Sequence, residues 1–492
     1  MKKLFLLFCI FYNTLLLSQT LLNSYPLHLN RPLENSQLLN IQDEKTKDVY
    51  VFAADDKYVT ILKYNPSLFL TNRYIDSIKN VDKRIIMGHS ISEDGNPILY
   101  WATENLKNLR IVKYYLDLKN TRTLNFDFPV NNEYIITTFQ KNNTFYVLSK
   151  ETNQQHLLLY EFNNGKCEIK MFDLSEIIFQ NDTGQNMAFN TVLRYYPMEK
   201  MDTEQLNAID KAANKSKIYV LDQEILLTFD YSSKKTQVVS LNMETLAVTG
   251  KNILQPVSKK ASKTSNSFFY ENKLLQIKAN NDEFLFDVKD LKSGTTLKSM
   301  AIDKKDTIPF KNSPLFIQIN DKKPQQIKKT SSFLKQLSNL NSGISAFKNR
   351  NTIFISFGGF TEYEVSGYNY RSNALFADIG YDFGSYSQYI TKMVYFDALF
   401  TSNFEFINGQ TLGPPAIDNL YYYMSTSRNV TLHSILNRKD YYILGYYDDR
   451  LKQYIMRKFT DGYINEDSGN SIMNKAQFSK AVDFAPIKFI EN

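Results

Sequence analysis

Asn266 to Ile302 reads NSFFYENKLLQIKANNDEFLFDVKDLKSGTTLKSMAI. Runs of Phe, Leu, Val and Ile alternate there with Asn, Asp, Lys and Gly, the punctuation expected of short strands and tight turns. The pattern predicts four strands: Ser267–Tyr270, Leu274–Lys278, Phe284–Val288 and Leu297–Ile302. Their connections are Glu271-Asn272-Lys273, Asn280-Asn281-Asp282 and Lys292-Ser293-Gly294.

The same unit recurs along the chain. Its second strand is recognisable at residues 49–53, 98–102, 145–149, 225–229, 274–278, 353–357 and 441–445, each preceded by a polar turn and another short strand. A third strand follows each, at 59–64, 110–116, 156–162, 237–243, 283–288, 390–396 and 453–459. A fourth is expected in six units and is unclear in the seventh. Anchors lie 47 to 49 residues apart where nothing intervenes and 79 to 88 where an insertion does. Four strands per period of about 40 to 50 residues is the pattern of a β-propeller. A β-sandwich would not explain the period. The expected fold is therefore all-β, a seven-bladed β-propeller, with six or eight blades as alternative counts. Helix is expected only at 199–215 and 331–340.

In its pattern the chain resembles secreted and periplasmic bacterial β-propeller proteins, at the level of the superfamily. Ser92-Glu93-Asp94-Gly95-Asn96-Pro97-Ile98 resembles the Ser-Pro-Asp-Gly turn of periplasmic Tol-type propellers, in one unit only. It lacks the glycine placement and Trp of a sialidase Asp-box. No WD or kelch signature recurs.

Met1-Lys2-Lys3, the apolar run Leu4–Leu17 and Ser18-Gln19-Thr20 have the cationic start, short apolar core and small residue of a secretory signal peptide. Cleavage is expected near Ser18, which makes the protein secreted or periplasmic. Cys9 follows Phe8 and is a poor lipidation site. The expected organisation is a signal peptide at 1–18, an N-terminal segment at 19–34 and one propeller domain at 35–492. A terminal strand should close the ring, with Phe484–Ile490 as the candidate. No later stretch has the run of about 20 apolar residues that would cross a bilayer as a helix. Only Cys167 remains after cleavage, so no internal disulfide is available.

Net charge is +7, or +5 once Lys2 and Lys3 are removed. That is short of the basic stripe of a nucleic-acid binder, so no nucleic-acid partner is expected. With 33 Tyr and 35 Phe against the single Trp101, aromatic strands dominate. No phosphate loop, zinc-ligand spacing or nucleophile elbow occurs, and no cofactor is expected.

Function is expected on the insertions, at 175–216, 303–341, 358–388 and 408–429. Three should join blades and one should join a second to a third strand, which places all four on one face of the disc. In GGFTEYEVSGYNYRSNALFADIGYDFGSYSQY, residues 358–389, the candidate ligand-binding residues are Tyr363, Tyr368, Tyr370, Arg371, Tyr381 and Tyr386. Tyr and Gly together resemble paratope chemistry and could stack on sugar rings; equally, the tyrosines could build a β-hairpin. Glu362, Glu364, Asp378 and Asp382 add carboxylates. His89 and His433 occupy matching levels of first strands and are channel-lining candidates, with no spaced carboxylate to complete a metal site. The Lys pairs at 259–260, 304–305, 322–323 and 328–329 read either as solvated loop or as a site for an anionic partner.

Taken together, the residues point to an exported, monomeric binding or scaffold protein. It would recognise a glycan, a peptide or an envelope protein of the cell envelope or exterior. The alternative is a polysaccharide-active glycosidase or lyase, for which no catalytic residues can be paired from spacing alone.

Overall fold

A computed structural model describes residues 19–77, 84–129, 131–262, 264–320, 322–349, 351–368, 385–410, 413–438 and 441–462. The chain is an all-β fold of the propeller class, a succession of mainly antiparallel sheets, most of them made from strands consecutive in sequence. Two compact units divide it. Among the described residues, one holds 19–178, 241–248 and 413–462, and the other holds 179–240 and 249–410.

The first unit carries blades 1, 2, 3 and 7. Blade 1 is Gln37–Gln42, Val49–Ala54, Tyr58–Tyr64 and Leu70–Ser77. Blade 2 is Arg84–Ile91, Pro97–Thr103, Asn108–Tyr115 and Asn120–Asp127, and blade 3 is Glu133–Lys141, Thr144–Glu151, His156–Asn163 and Lys166–Asp173. Blade 7 is Val430–Arg438, Tyr441–Asp448 and Gln453–Phe459. Its fourth strand comes from the other end of the chain: Gln19–Pro26 pairs antiparallel with Gln453–Phe459. Part of the segment expected to precede the propeller is thus a blade strand. It occupies the edge for which Phe484–Ile490, outside the described residues, was the expected candidate.

The second unit carries blades 4, 5 and 6. Blade 5 is the quoted stretch, and its strands are Thr264–Tyr270, Lys273–Ala279, Glu283–Asp290 and Thr296–Asp303. Glu271 and Asn272 both have positive φ (41° and 61°), the primed turn that matches strand twist. The first three strands are almost wholly buried, because both faces are covered, whereas the fourth is mostly exposed. Blade 4 is Ser216–Val220, Glu224–Phe229, Lys235–Asn242 and Val248–Leu254, extended by Met198–Met201 parallel to Ser216–Val220. Blade 6 is Asn341–Asn349, Thr352–Tyr368 and Ser385–Phe400. Its fourth strand was expected through a short turn after the third, but it is Leu315–Ile319, upstream within the segment expected to be an insertion between blades, followed by an edge strand, Gln325–Ile327.

Helices α1 (Phe189–Tyr195), α2 (Ile209–Ala212) and α4 (Ala416–Thr426) lie between blades, and α3 (Thr330–Leu337) joins the edge strand of blade 6 to its first strand. Of the helix expected at 199–215 only α2 forms; Met198–Met201 pairs with blade 4 instead, tertiary pairing overriding local propensity. None of these helices is long and apolar enough to cross a membrane.

The core of the second unit is a phenylalanine cluster. Phe286 meets Phe357 edge-on at 4.9 Å, and Phe357 stacks on Phe396 at 5.0 Å. Each such fully buried ring contributes about 1.5–3 kcal/mol. A buried polar network joins the strands of blade 4 to the first strands of blades 5 and 6. Lys217 and Asp230 are fully enclosed, with Nζ 3.4 Å from Oδ2. The Asp230 carboxylate also accepts from Ser267 N (3.0 Å), Ser267 Oγ (2.7 Å) and Thr236 Oγ1 (2.7 Å). Lys217 donates to Asn266 Oδ1, and Asn266 Nδ2 donates to Ser342 O at 2.6 Å, which ties together the first strands of blades 4, 5 and 6.

Candidate functional site

The insertion between blades 3 and 4 ends in α2, which lies over one face of blade 6. Ile209 packs there with Phe316, Met393 and Tyr395, with Phe360 against the cluster. The approach requires Gly343: a Cβ there would sit 2.9 Å from Ala213 N and 3.0 Å from Ile209 O. This packing brings separate insertions of the second unit to one pocket of about 320 Å³. Glu199, Asp210 and Lys211 come from 175–216, Asn341 from the end of 303–341, and Phe360, Thr361 and Glu362 from 358–388.

Asp210 is the unusual member. Its Oδ1 is enclosed without a hydrogen-bond partner. Burial pushes its carboxyl up to about 7, against the pull of Lys211 and with the Glu199 charge adding to the rise. Lys211 Nζ stands 3.5 Å from Glu199 Oε1. Near neutral pH the pocket therefore offers an acid that can still donate, beside carboxylates that accept. The same shift predicts a pH-dependent stability. The folded value lies above the unfolded one of about 4, so native Asp210 keeps a proton that the unfolded chain releases. Its stabilising share is whole below pH 4 and is lost as pH rises through 7. Asp210→Asn is therefore expected to gain on the parent by about 1.4 kcal/mol per pH unit between those limits, then level off. Melts from pH 4 to 8 check this; a gap that does not change with pH would refute it.

The segment expected to be a second-to-third-strand insertion is in part the blade itself. Thr352–Tyr368 and Ser385–Phe400 form one long hairpin, paired from Ile353–Phe400 out to Tyr368–Ser385. Gly358, Gly359 and Phe360 also pair with the first strand, Asn341–Asn349. Side chains alternate between faces, so Glu362 and Glu364 share a face with Phe360, Tyr389 and the pocket, and Tyr363 lies on the other. Tyr363 and Tyr389 are both exposed. Of the other expected ligand-binding residues, Tyr368 pairs with Ser385 and Tyr386 with Gly367. Tyr370, Arg371 and Tyr381 lie outside the described residues, as do Asp378 and Asp382. Spacing did not single out Glu199 or Asp210; their place inside a long insertion was the available signal.

In the first unit His89 and His433 sit on the first strands of blades 2 and 7, which flank blade 1. Burial lowers both, His89 to about 4, so each ring is neutral at physiological pH. Among the described residues no group of three or more His, Cys, Asp or Glu side chains is arranged to hold a metal. Cys167 is half-buried, and burial pushes its thiol up to about 12, which suppresses the thiolate. A second pocket, about 260 Å³, lies between blades 1 and 2 beside Trp101, Arg110 and Asp76. Its Asp55 is engaged in structure, accepting from Asn30 N (2.9 Å), Lys57 N (2.8 Å) and Tyr58 N (2.8 Å). In the turn that resembles Tol-type propellers, burial pushes Asp94 up, but bonds from Lys113 (2.7 Å), Ser92 and Asn96 hold it well below the usual carboxylate range.

No family model and no curated protein matches the chain. Among solved structures it is similar to the WD40 domain of SCAP from fission yeast, at 9% identity and a TM-score of 0.32, covering 90% of this chain and 98% of that one. It is also similar to Hsv2 from Kluyveromyces lactis, at 8% identity and a TM-score of 0.28, covering 87% and 100%. For the Dos1 propeller the values are 10% identity, a TM-score of 0.25, and coverage of 86% and 77%. The fold assignment rests on the strand pairing described above.

Proposed function

We propose that this chain is an exported binding propeller that recognises a glycan, peptide or envelope protein at the pocket beneath the blade 6 hairpin. The observation that carries the reading is the convergence of three insertions on Asp210, Glu199 and Glu362. Long connections on a rigid sheet scaffold are where recognition is usually placed. The pocket chemistry favours a glycan, since carboxyl and amide groups pair with sugar hydroxyls and Tyr389 offers an exposed ring nearby. Export rests on the leader-like sequence of residues 1–18; cleavage after Ser18 would leave Gln19–Pro26 whole for blade 7.

Asp210 favours a second reading, a glycosidase or lyase, because a carboxyl poised near 7 beside other carboxylates is suited to general acid work. One variant separates the two. Asp210→Asn keeps hydrogen-bonding capacity, so a binder should retain its ligand on a glycan array, whereas a hydrolase should retain binding and lose turnover.

The hairpin supplies a further test. Replacing residues 365–388 by Asn-Gly joins the paired residues Glu364 and Tyr389 through a two-residue turn. The ladder from Ile353–Phe400 to Glu364–Tyr389 stays intact, its outermost pairs are removed, and four tyrosines leave. A parent-like cooperative melt with binding weakened at least about tenfold is expected, as aromatic anchors tend to dominate binding energy. Unchanged binding would confine the site to the pocket proper.

A further inference from the structure

Residues between the last strand of blade 5 and the start of α3 frame a separate, half-open cavity of about 520 Å³ in the second unit. Lys304, Lys305, Lys311, Lys328 and Lys329 line it, with Asp306 as the one carboxylate among the lining residues. Lys304 is paired with Asp282 at 2.5 Å. The ammonium groups of the other four have no carboxylate partner among the described residues. Four like charges around one concavity repel each other, and among the described lining residues only Asp306 opposes them.

The wall is rigid. Ile308, Phe310 and Leu315 from this connection are buried in the phenylalanine core, as are Phe333 and Leu334 of α3 just beyond the cavity. The lysine backbones are thereby held in place although most of their side chains reach solvent. α3 begins at the same cavity, with no side-chain cap and no acidic residue in its first turn. Its N-terminal dipole adds to the positive field of the lysines. A solvated lysine face accounts for exposed cations, but not for their gathering around a cavity with a single carboxylate.

We propose that this cavity binds a multiply charged oxyanion: phosphate or sulfate groups, free or carried on a sugar chain. Lysines present point charges without the planar fork that arginine uses to read a single carboxylate, so the site selects charge density. No aromatic ring lines it, which leaves no platform for a stacked base. This site is separate from the blade 6 pocket and does not depend on that reading.

The test is titration calorimetry of the full mature chain with sodium tripolyphosphate, with dextran sulfate and with neutral dextran, at 0.05 M and 0.3 M salt. Binding of either anion, weakening with salt, and none of neutral dextran is the expected result. Tripolyphosphate binding would point to a free oxyanion, and dextran sulfate alone to a charged polysaccharide. Lys305→Glu with Lys328→Glu and Lys329→Glu should weaken binding at least about tenfold, the loss expected from a single charge-assisted contact. The same charge change at the exposed Lys45, Lys57 and Lys107 should leave it unaltered. If the triple reversal fails to fold, Lys328→Gln with Lys329→Gln serves in its place. Equal losses in both sets would mean that net charge alone attracts the anion, and would overturn the site. So would an absence of anion binding by the parent.

Discussion

Asp230→Asn is expected to cost about 3–5 kcal/mol, the loss seen when one partner of a buried ion pair is removed. For a unit of this size that is about 10 °C in melting temperature. The carboxylate is the hub of the network beneath blades 4 and 5, approached by Lys217, Ser267 and Thr236. An asparagine keeps the shape but turns one acceptor into a donor and leaves Lys217 a fully enclosed cation without its counter-charge. Burial already lowers Lys217 to about 8, with Asp230 opposing and Lys215 adding to the fall. The sign of the pH dependence follows. A lysine whose folded value lies below its unfolded value of about 10.4 gains stability as pH rises between the two. Removing Asp230 should lower the folded value further, so the loss should grow as pH falls from 9 to 6. Chemical denaturation across that range is the measurement. A loss below about 1 kcal/mol, or one independent of pH, would show that the hydroxyls and amides, not the charge pair, hold the network.

Starting the chain at Leu27 should be nearly as damaging. Gln19–Pro26 is the outer strand of blade 7, paired with Gln453–Phe459 along its length apart from one bulge near Leu21. Asn23 Nδ2 also donates to Leu68 O of blade 1 at 2.8 Å, and Leu22 and Tyr25 pack on the shared core. Several ladder bonds at about 0.5–1.5 kcal/mol each would go, a loss on the order of 5 kcal/mol. The exposed strand would then be an open edge, a template for intermolecular pairing. The expected outcome is a melting temperature lower by about 10 °C, together with association detected by light scattering. A monodisperse protein with the parent melt would mean that the strand is dispensable.

Local chemistry was sufficient for the strand pattern. All seven expected second and third strands fall on observed strands, because apolar runs closed by Asn, Asp and Gly are fixed by neighbours a few residues away. The turn at Glu271-Asn272 is the clearest instance, with the left-handed conformation that those residues tolerate. What local chemistry left open was every pairing made over a long separation. The fourth strand of blade 6 lies upstream at Leu315–Ile319, and that of blade 7 lies at Gln19–Pro26. An edge strand shows the same alternation whichever sheet it joins. The hairpin at 352–400 was hidden for a related reason, since glycine and tyrosine suit a loop as well as a strand until pairing with Asn341–Asn349 decides. The candidate site belongs wholly to the tertiary level. Asp210 acquires its raised pKa from the burial that α2 receives against blade 6, and it meets Glu362 only because Gly343 lets that helix approach. Desolvation depends on which surfaces cover a group, and no spacing along the chain encodes that.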